Sequence, residues 1–88
     1  MRTWAIEFSV AAERDISRLD RPLRERVIAK LDWLAAHFDE TPPLPLTGEF
    51  AGFYKLRVGD IRIIYLIEWN KHLLVVHYID WREHIYKK

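Results

Sequence analysis

The chain has 88 residues, half of them apolar, with four Trp and a formal charge of +1. That length holds one domain, 1–88, built on one core, and the lack of Cys excludes disulfides and thiolate metal sites. Its apolar runs reach only strand length, so no membrane span is expected, and near-neutral charge argues against indiscriminate binding to polyanions. The opening run MRTWAIEFSVAAERD has no long apolar core ahead of a small-residue cleavage site, so no signal peptide is expected. A soluble cytoplasmic domain is the expectation.

In chain order, "TWAIEFS" alternates, with Trp4, Ile6 and Phe8 on one side and Ala5 and Glu7 on the other, which predicts a strand with one buried face. Ser9 is placed to cap a short helix ending near Leu19. Asp20 is placed to cap a second helix, with Pro22 in its first turn. The second helix carries Leu23, Val27, Ile28, Leu31, Leu34, Ala35 and Phe38 as a stripe at helical spacing. Arg24, Arg26, Lys30 and Asp32 between them are expected to face water. The proline-rich run "DETPPLPLTGEFAG" excludes a helix or a central strand. Three strand-like runs follow, Phe53–Val58, Ile61–Trp69 and Leu73–Asp80, joined by short turns and therefore antiparallel. The order is β-α-α-β-β-β, an α+β domain whose mostly antiparallel sheet carries an N-terminal helical hairpin on one face.

Residues 1–45 hold seven Lys/Arg against eight Asp/Glu, and residues 46–88 seven against five, so the positive excess lies in the second half. It concentrates in "FYKLRVGDIRIIY". With Gly59 and Asp60 as the two turn residues, a type II′ geometry, Arg57 faces Arg62 across the ladder. Lys55 shares their side by the two-residue strand period, and Leu56, Val58, Ile61 and Ile63 take the other. Like charges placed directly opposite destabilise a sheet. Such a cluster suits a bound anion, since Arg offers paired donors to phosphate at fixed geometry. The plainer reading is that these cations only keep a sheet face wet, neutralised by Glu49, Asp60 or Glu68. For the last hairpin two registers compete: a two-residue loop pairs Arg62 with Ile79, and a three-residue loop pairs it with Tyr78. A bulge or an early end to pairing near Asp80 stays open as a third possibility.

At "LPLTGEFAGFYKLRVGDIRIIY" and "VVHYIDWREHIY" the chain resembles the RelE/ParE superfamily of bacterial and archaeal toxins, along essentially its whole length. The shared pattern is a Leu-x-Gly segment, then Tyr-Lys-Leu-Arg-Val-Gly-Asp-x-Arg-x-x-Tyr, then a closing Arg-x-x-x-Tyr. The resemblance implies a toxin of the RelE branch. Such a toxin is a metal-independent endoribonuclease that cuts messenger RNA in the ribosomal A site and is neutralised by a cognate antitoxin. It contacts operator DNA only through the antitoxin complex. Lys55, Arg62, Arg82 and Tyr86 fall on the family's catalytic positions, with Arg57, Trp81 and His84 as further RNA or phosphate contacts. The implied chemistry is attack of a ribose 2′-OH on the adjacent phosphate, giving a 2′,3′-cyclic phosphate. Two alternatives are a ParE-like gyrase inhibitor and a protein that acts mainly as corepressor with its antitoxin.

His37, His72, His77 and His84 show no metal-ligand spacing, so neither a metal nor any other cofactor is expected. Trp4, Trp33 and Trp69 read as core or turn packing, and Trp81 is the better stacking candidate of the four, with burial the plainer reading for it too. Ile64, Leu66 and the strand from Leu73 to Ile79 are apolar on both faces, which predicts an exposed apolar groove for a partner.

Overall fold

The computed structural model describes residues 4–81. Strand β1 (Ala5–Phe8) leads into α1 (Val10–Ser17) and α2 (Arg21–His37). A short β2 (Leu44–Pro45) precedes β3 (Tyr54–Val58), β4 (Ile61–Glu68) and β5 (Leu73–Trp81). These strands form one sheet in the order β1-β5-β4-β3-β2. Strands β2 to β5 run as an antiparallel meander, and β1 lies parallel to β5. The expected α+β architecture is what forms, with the helices packed on one side of the sheet.

Local chemistry sets the helix starts. The Ser9 hydroxyl accepts from the Ala12 N–H at 3.0 Å, and the Asp20 carboxylate accepts from the Leu23 N–H at 3.1 Å, as the capping reading requires. Ser9 also serves the sheet. Its hydroxyl donates to the His77 carbonyl at 2.9 Å, and Asp15 of α1 accepts from the Ile79 N–H at 2.9 Å. Strand β1 pairs only as far as Phe8 with Val76, so α1 supplies polar partners to the stretch of β5 that β1 leaves uncovered.

The core lies between the helices and the inner face of the sheet. Ala12, Val27 and Leu31 pack with Ile61, Ile63 and Val76 in one cluster. A second cluster holds Trp4, Leu34, Phe38, Tyr65 and Leu74. Trp4 is both buried and satisfied, its indole N–H donating to Asp39 at 3.0 Å. Burial raises the Tyr65 hydroxyl pKa from 10.0 to about 12, with the neighbouring Tyr54 phenol adding to the effect.

Two apolar residues of α2, one from the expected stripe and one outside it, behave differently from the reading. Ile28 remains 37% exposed, and Trp33, expected to pack in the core or a turn, stands on the outer face of α2 at 43% exposure. The sheet takes α2 through Val27, Leu31, Leu34 and Ala35, a narrower stripe than the apolar positions suggest. Trp69 behaves as turn packing, meeting the Trp4 ring edge-on at 5.6 Å. The proline-rich connection contributes no helix longer than a single turn, and its strand is a two-residue edge pair in which Pro45 faces Tyr54. Among the described residues no helix is long and apolar enough to cross a membrane.

Candidate nucleic-acid interface

The β3–β4 hairpin forms in the expected register: Val58 faces Ile61, Arg57 faces Arg62, and Lys55 faces Ile64. Gly59 takes φ +59° at the first turn position, while Asp60 is absent from the positive-φ residues, which matches a type II′ turn. Alternation then sorts the hairpin. Leu56, Val58, Ile61 and Ile63 join the core, and Lys55, Arg57 and Arg62 share the side away from the helices.

The three cations differ in exposure. Arg57 is exposed and Lys55 half-buried, whereas Arg62 keeps only 4% exposure and is the one charged side chain buried among the described residues. Neutralisation by Glu49, Asp60 or Glu68 is not what forms. The ion pairs among the described residues are Arg21 with Glu25 and Lys71 with Glu68, so no described carboxylate cancels Lys55 or Arg57. The acid nearest in register is Asp80, which stands across from Arg62 on β5.

Neither simple register of the last hairpin occurs. Glu68 pairs with Leu73 around a four-residue connection, and the register shifts between Ile64 and Tyr65, so that Ile64 faces Tyr78 and Arg62 faces Asp80. The bulge leaves His77 as the extra residue on β5. Closure of the connection places His72 at φ 51°, where its ring sits 4.9 Å from Trp4.

The bulge also builds a feature the alternation pattern does not reveal. Phe53 stacks on His77 at 5.0 Å and 24°, and His77 on Tyr78 at 4.8 Å and 17°. A row of aromatic rings thus lies beside Lys55, with Tyr78 still 37% exposed. Next to it, between α1 and the end of β5, opens a cleft of about 500 Å³ of mixed charge, lined by Arg14 and Arg18 against Asp15, Glu49 and Asp80, with Phe50 and Tyr78. Cations that hold phosphates, set beside rings that stack on bases, are what single-stranded nucleic acid requires.

The remaining expected site residues separate. Trp81 faces Ile61 in the register, which turns it towards the helix-bearing side and away from the cation row. Arg82, His84 and Tyr86 lie outside the described residues. The apolar groove is reduced from what the sequence suggests: Ile64, lying between Lys55 and Tyr78, is 1% exposed, and only Leu66 and Val75 retain partial exposure beside it. Among the described residues no group of three or more His, Asp or Glu converges as a metal site.

The family model of the ParE toxin of type II toxin–antitoxin systems, parDE, matches residues 6–86. The chain belongs to this family. It is therefore a toxin of a type II toxin–antitoxin system, within the RelE/ParE superfamily that the loop and hairpin motif resembles. No curated protein matches it at a significant level. Solved structures share the fold at low identity. The RelBE2 toxin–antitoxin complex of Mycobacterium tuberculosis is 23% identical with a TM-score of 0.76, covering 91% of this chain and 99% of that one. The isolated RelE toxin of E. coli is 21% identical with a TM-score of 0.70, covering 96% and 92%. The YoeB/ParE toxin of Agrobacterium tumefaciens is 19% identical with a TM-score of 0.69, covering 89% and 98%. Of the expected site residues, Lys55, Arg57 and Arg62 lie on the hairpin face that the helices leave open.

Proposed function

We propose that this toxin is a ribosome-dependent endoribonuclease that cuts messenger RNA in the A site and so inhibits translation. The observation that carries this reading is the buried Arg62, with Arg57 opposed to it and Lys55 on the same side of one rigid hairpin. A desolvated guanidinium costs folding free energy. Its electrostatic effect on a phosphate is correspondingly larger than that of a solvated one.

In the reaction the ribose 2′-oxygen forms a bond to the adjacent phosphorus as the bond from phosphorus to the 5′-oxygen breaks. The products are a 2′,3′-cyclic phosphate and a 5′-hydroxyl. Negative charge builds on the phosphoryl oxygens, where Arg62 and Lys55, with Arg82 carried over from the family motif, stabilise it. Tyr86 or Lys55 takes the 2′-OH proton. Arg82 assists the departing oxygen by charge, since a guanidinium does not give up a proton readily, and that oxygen takes its proton from solvent water. Arg57 holds a flanking phosphate, His84 and the aromatic row bear on the neighbouring nucleotides, and the ribosome supplies much of the orientation. Trp81, turned to the other side of the sheet, is left out of this set. No step calls for a metal or another cofactor.

The partners are messenger RNA on the ribosome and a cognate antitoxin, the kind of complex in which the Mycobacterium tuberculosis relative was solved. Operator DNA is reached through that complex. The protein acts in the cytoplasm, where its substrate is translated. A second reading, inhibition of DNA gyrase, is favoured by the ParE description of the matching family. Primer extension on a translated messenger, with and without ribosomes, separates the two. Cleavage within codons that needs ribosomes and is lost in Arg62→Ala supports the nuclease. Arrested growth with no cleavage, and with gyrase supercoiling blocked, moves the assignment to the second reading.

A further inference from the structure

The cation row does not end at the hairpin. Beyond Lys55 no described strand pairs with the outer edge of β3, because β2 covers only Tyr54 and Lys55. Helix α2 lies along that uncovered edge. The Arg26 guanidinium reaches the hairpin turn, with Nη2 3.7 Å from where a Cβ on Gly59 would stand. A shallow concavity between helix and hairpin is lined by Arg26, Lys30, Trp33, Arg57 and Gly59, with three cations and no acid in its wall. The Lys30 ammonium rests over the Trp33 ring at 4.3 Å, and His37 stacks on that ring at 4.9 Å and 23°.

We infer that Arg26 and Lys30 of α2, with Trp33, form a second RNA-binding surface that continues the strand's path from the open sheet face over the edge of β3, Arg57 being the junction. Three features fit single-stranded RNA as the occupant. The wall is wholly cationic where it is charged at all, which fits a backbone carrying one phosphate per nucleotide. A large aromatic ring keeps 43% of its surface exposed in the same concavity. The Lys30 ammonium can leave that ring for a phosphate by rotating its own side chain, which frees the ring face for a base. Arg57 belongs to both surfaces, so a chain held at the hairpin is already anchored within reach of the second site. The choice of RNA over other polyanions rests on the nuclease reading, and the charge and the exposed ring do not.

The test is fluorescence anisotropy of the full chain with a labelled, uncleavable 2′-O-methyl RNA 12-mer at two salt concentrations. Arg26→Glu with Lys30→Glu should weaken binding by about tenfold or more, and Arg26→Gln with Lys30→Gln less steeply but still measurably. Loss of two phosphate contacts should lower the salt slope by about 1.4 in the neutral double variant. Trp33→Ala should weaken binding several-fold with the slope unchanged, as stacking carries no counterion release. Binding by both double variants within twofold of wild type overturns the inference, and so does preference for a Glu-rich peptide 12-mer over the RNA. Ribosome-dependent cleavage is scored in parallel. RNA binding that depends on Arg26 and Lys30 in a protein that never cleaves leaves this surface standing and removes the nuclease. Normal cleavage with binding indifferent to these residues does the reverse.

Discussion

The two sides of the β3–β4 hairpin share a backbone and differ in everything else. The inner side presents Leu56, Val58, Ile61 and Ile63 to the helices, with Ile61 and Ile63 at 1% and 0% exposure. The outer side, offset by one residue, sets Arg57 against Arg62 and carries Lys55. The first arrangement lowers the free energy of the fold, and the second works against it where Arg57 and Arg62 stand as opposed like charges. A sheet kept rigid by one face can hold a costly constellation on the other. The comparison also explains why the hairpin, rather than a loop, bears the candidate phosphate site: preorganised donors act best when their scaffold does not move.

The largest way to break the comparison is from the inner side. Ile63→Ala should cost about 3–4 kcal/mol, because it leaves a cavity at a fully buried position. The urea midpoint reports this loss, and the RNA contacts of the remaining folded protein should be unchanged. From the outer side, Arg62→Ala should reduce ribosome-bound cleavage by about 100-fold, the effect of removing one preorganised donor. Arg62→Lys should restore only part of that activity, since the charge returns without the paired donors. Single-turnover cleavage is the readout for both.

The inner side should also be the one sensitive to high pH. Tyr65 keeps its proton in the folded protein up to about 12, against 10.0 when unfolded. Its contribution is therefore fully present below pH 10 and is lost as pH rises from 10 to about 12, an effect of order 2–3 kcal/mol. Thermal midpoints of wild type and Tyr65→Phe should converge over that window. The smallest of these effects concerns the turn that sets the register. Gly59→Ala should cost about 1–2 kcal/mol through backbone strain at φ +59°, since its new Cβ meets only ordinary contact with Arg26. A destabilisation curve shows the cost, and a one-residue slip of the hairpin would show as loss of both faces at once.

How much of this was legible in the sequence varies with how local the cause is. The Gly59-Asp60 turn, the Arg57–Arg62 opposition, and the Ser9 and Asp20 caps follow from residues within a few positions of one another, and all form as read. The bulge at His77 does not: no Gly or Pro marks it, and the extra residue is accommodated by partners on β4 and by the Ser9 hydroxyl from the start of α1. With it went the register of β5, the aromatic row and the position of Asp80. Ile28 was misplaced for a related reason. Helical periodicity gives a stripe but not its width, which packing fixes by burying Val27, Leu31, Leu34 and Ala35 and leaving Ile28 exposed. The basic surface of α2 was invisible because Arg26 and Lys30 read as ordinary solvated positions until Arg57 and Gly59 were set beside them.

The account stands on one claim, that the outer cations are retained at a cost to the fold for the sake of a bound phosphate. The measurement that reaches it most directly is the ribosome-bound cleavage rate of Lys55→Gln with Arg57→Gln, taken at matched folded fraction from the urea curve of the same protein. The account predicts a cleavage rate at least about tenfold lower, with an unfolding free energy unchanged or raised by up to about 1 kcal/mol as the repulsion between Arg57 and Arg62 is relieved. A lowered midpoint with cleavage intact would contradict it, and would make these cations part of the fold and not of the site.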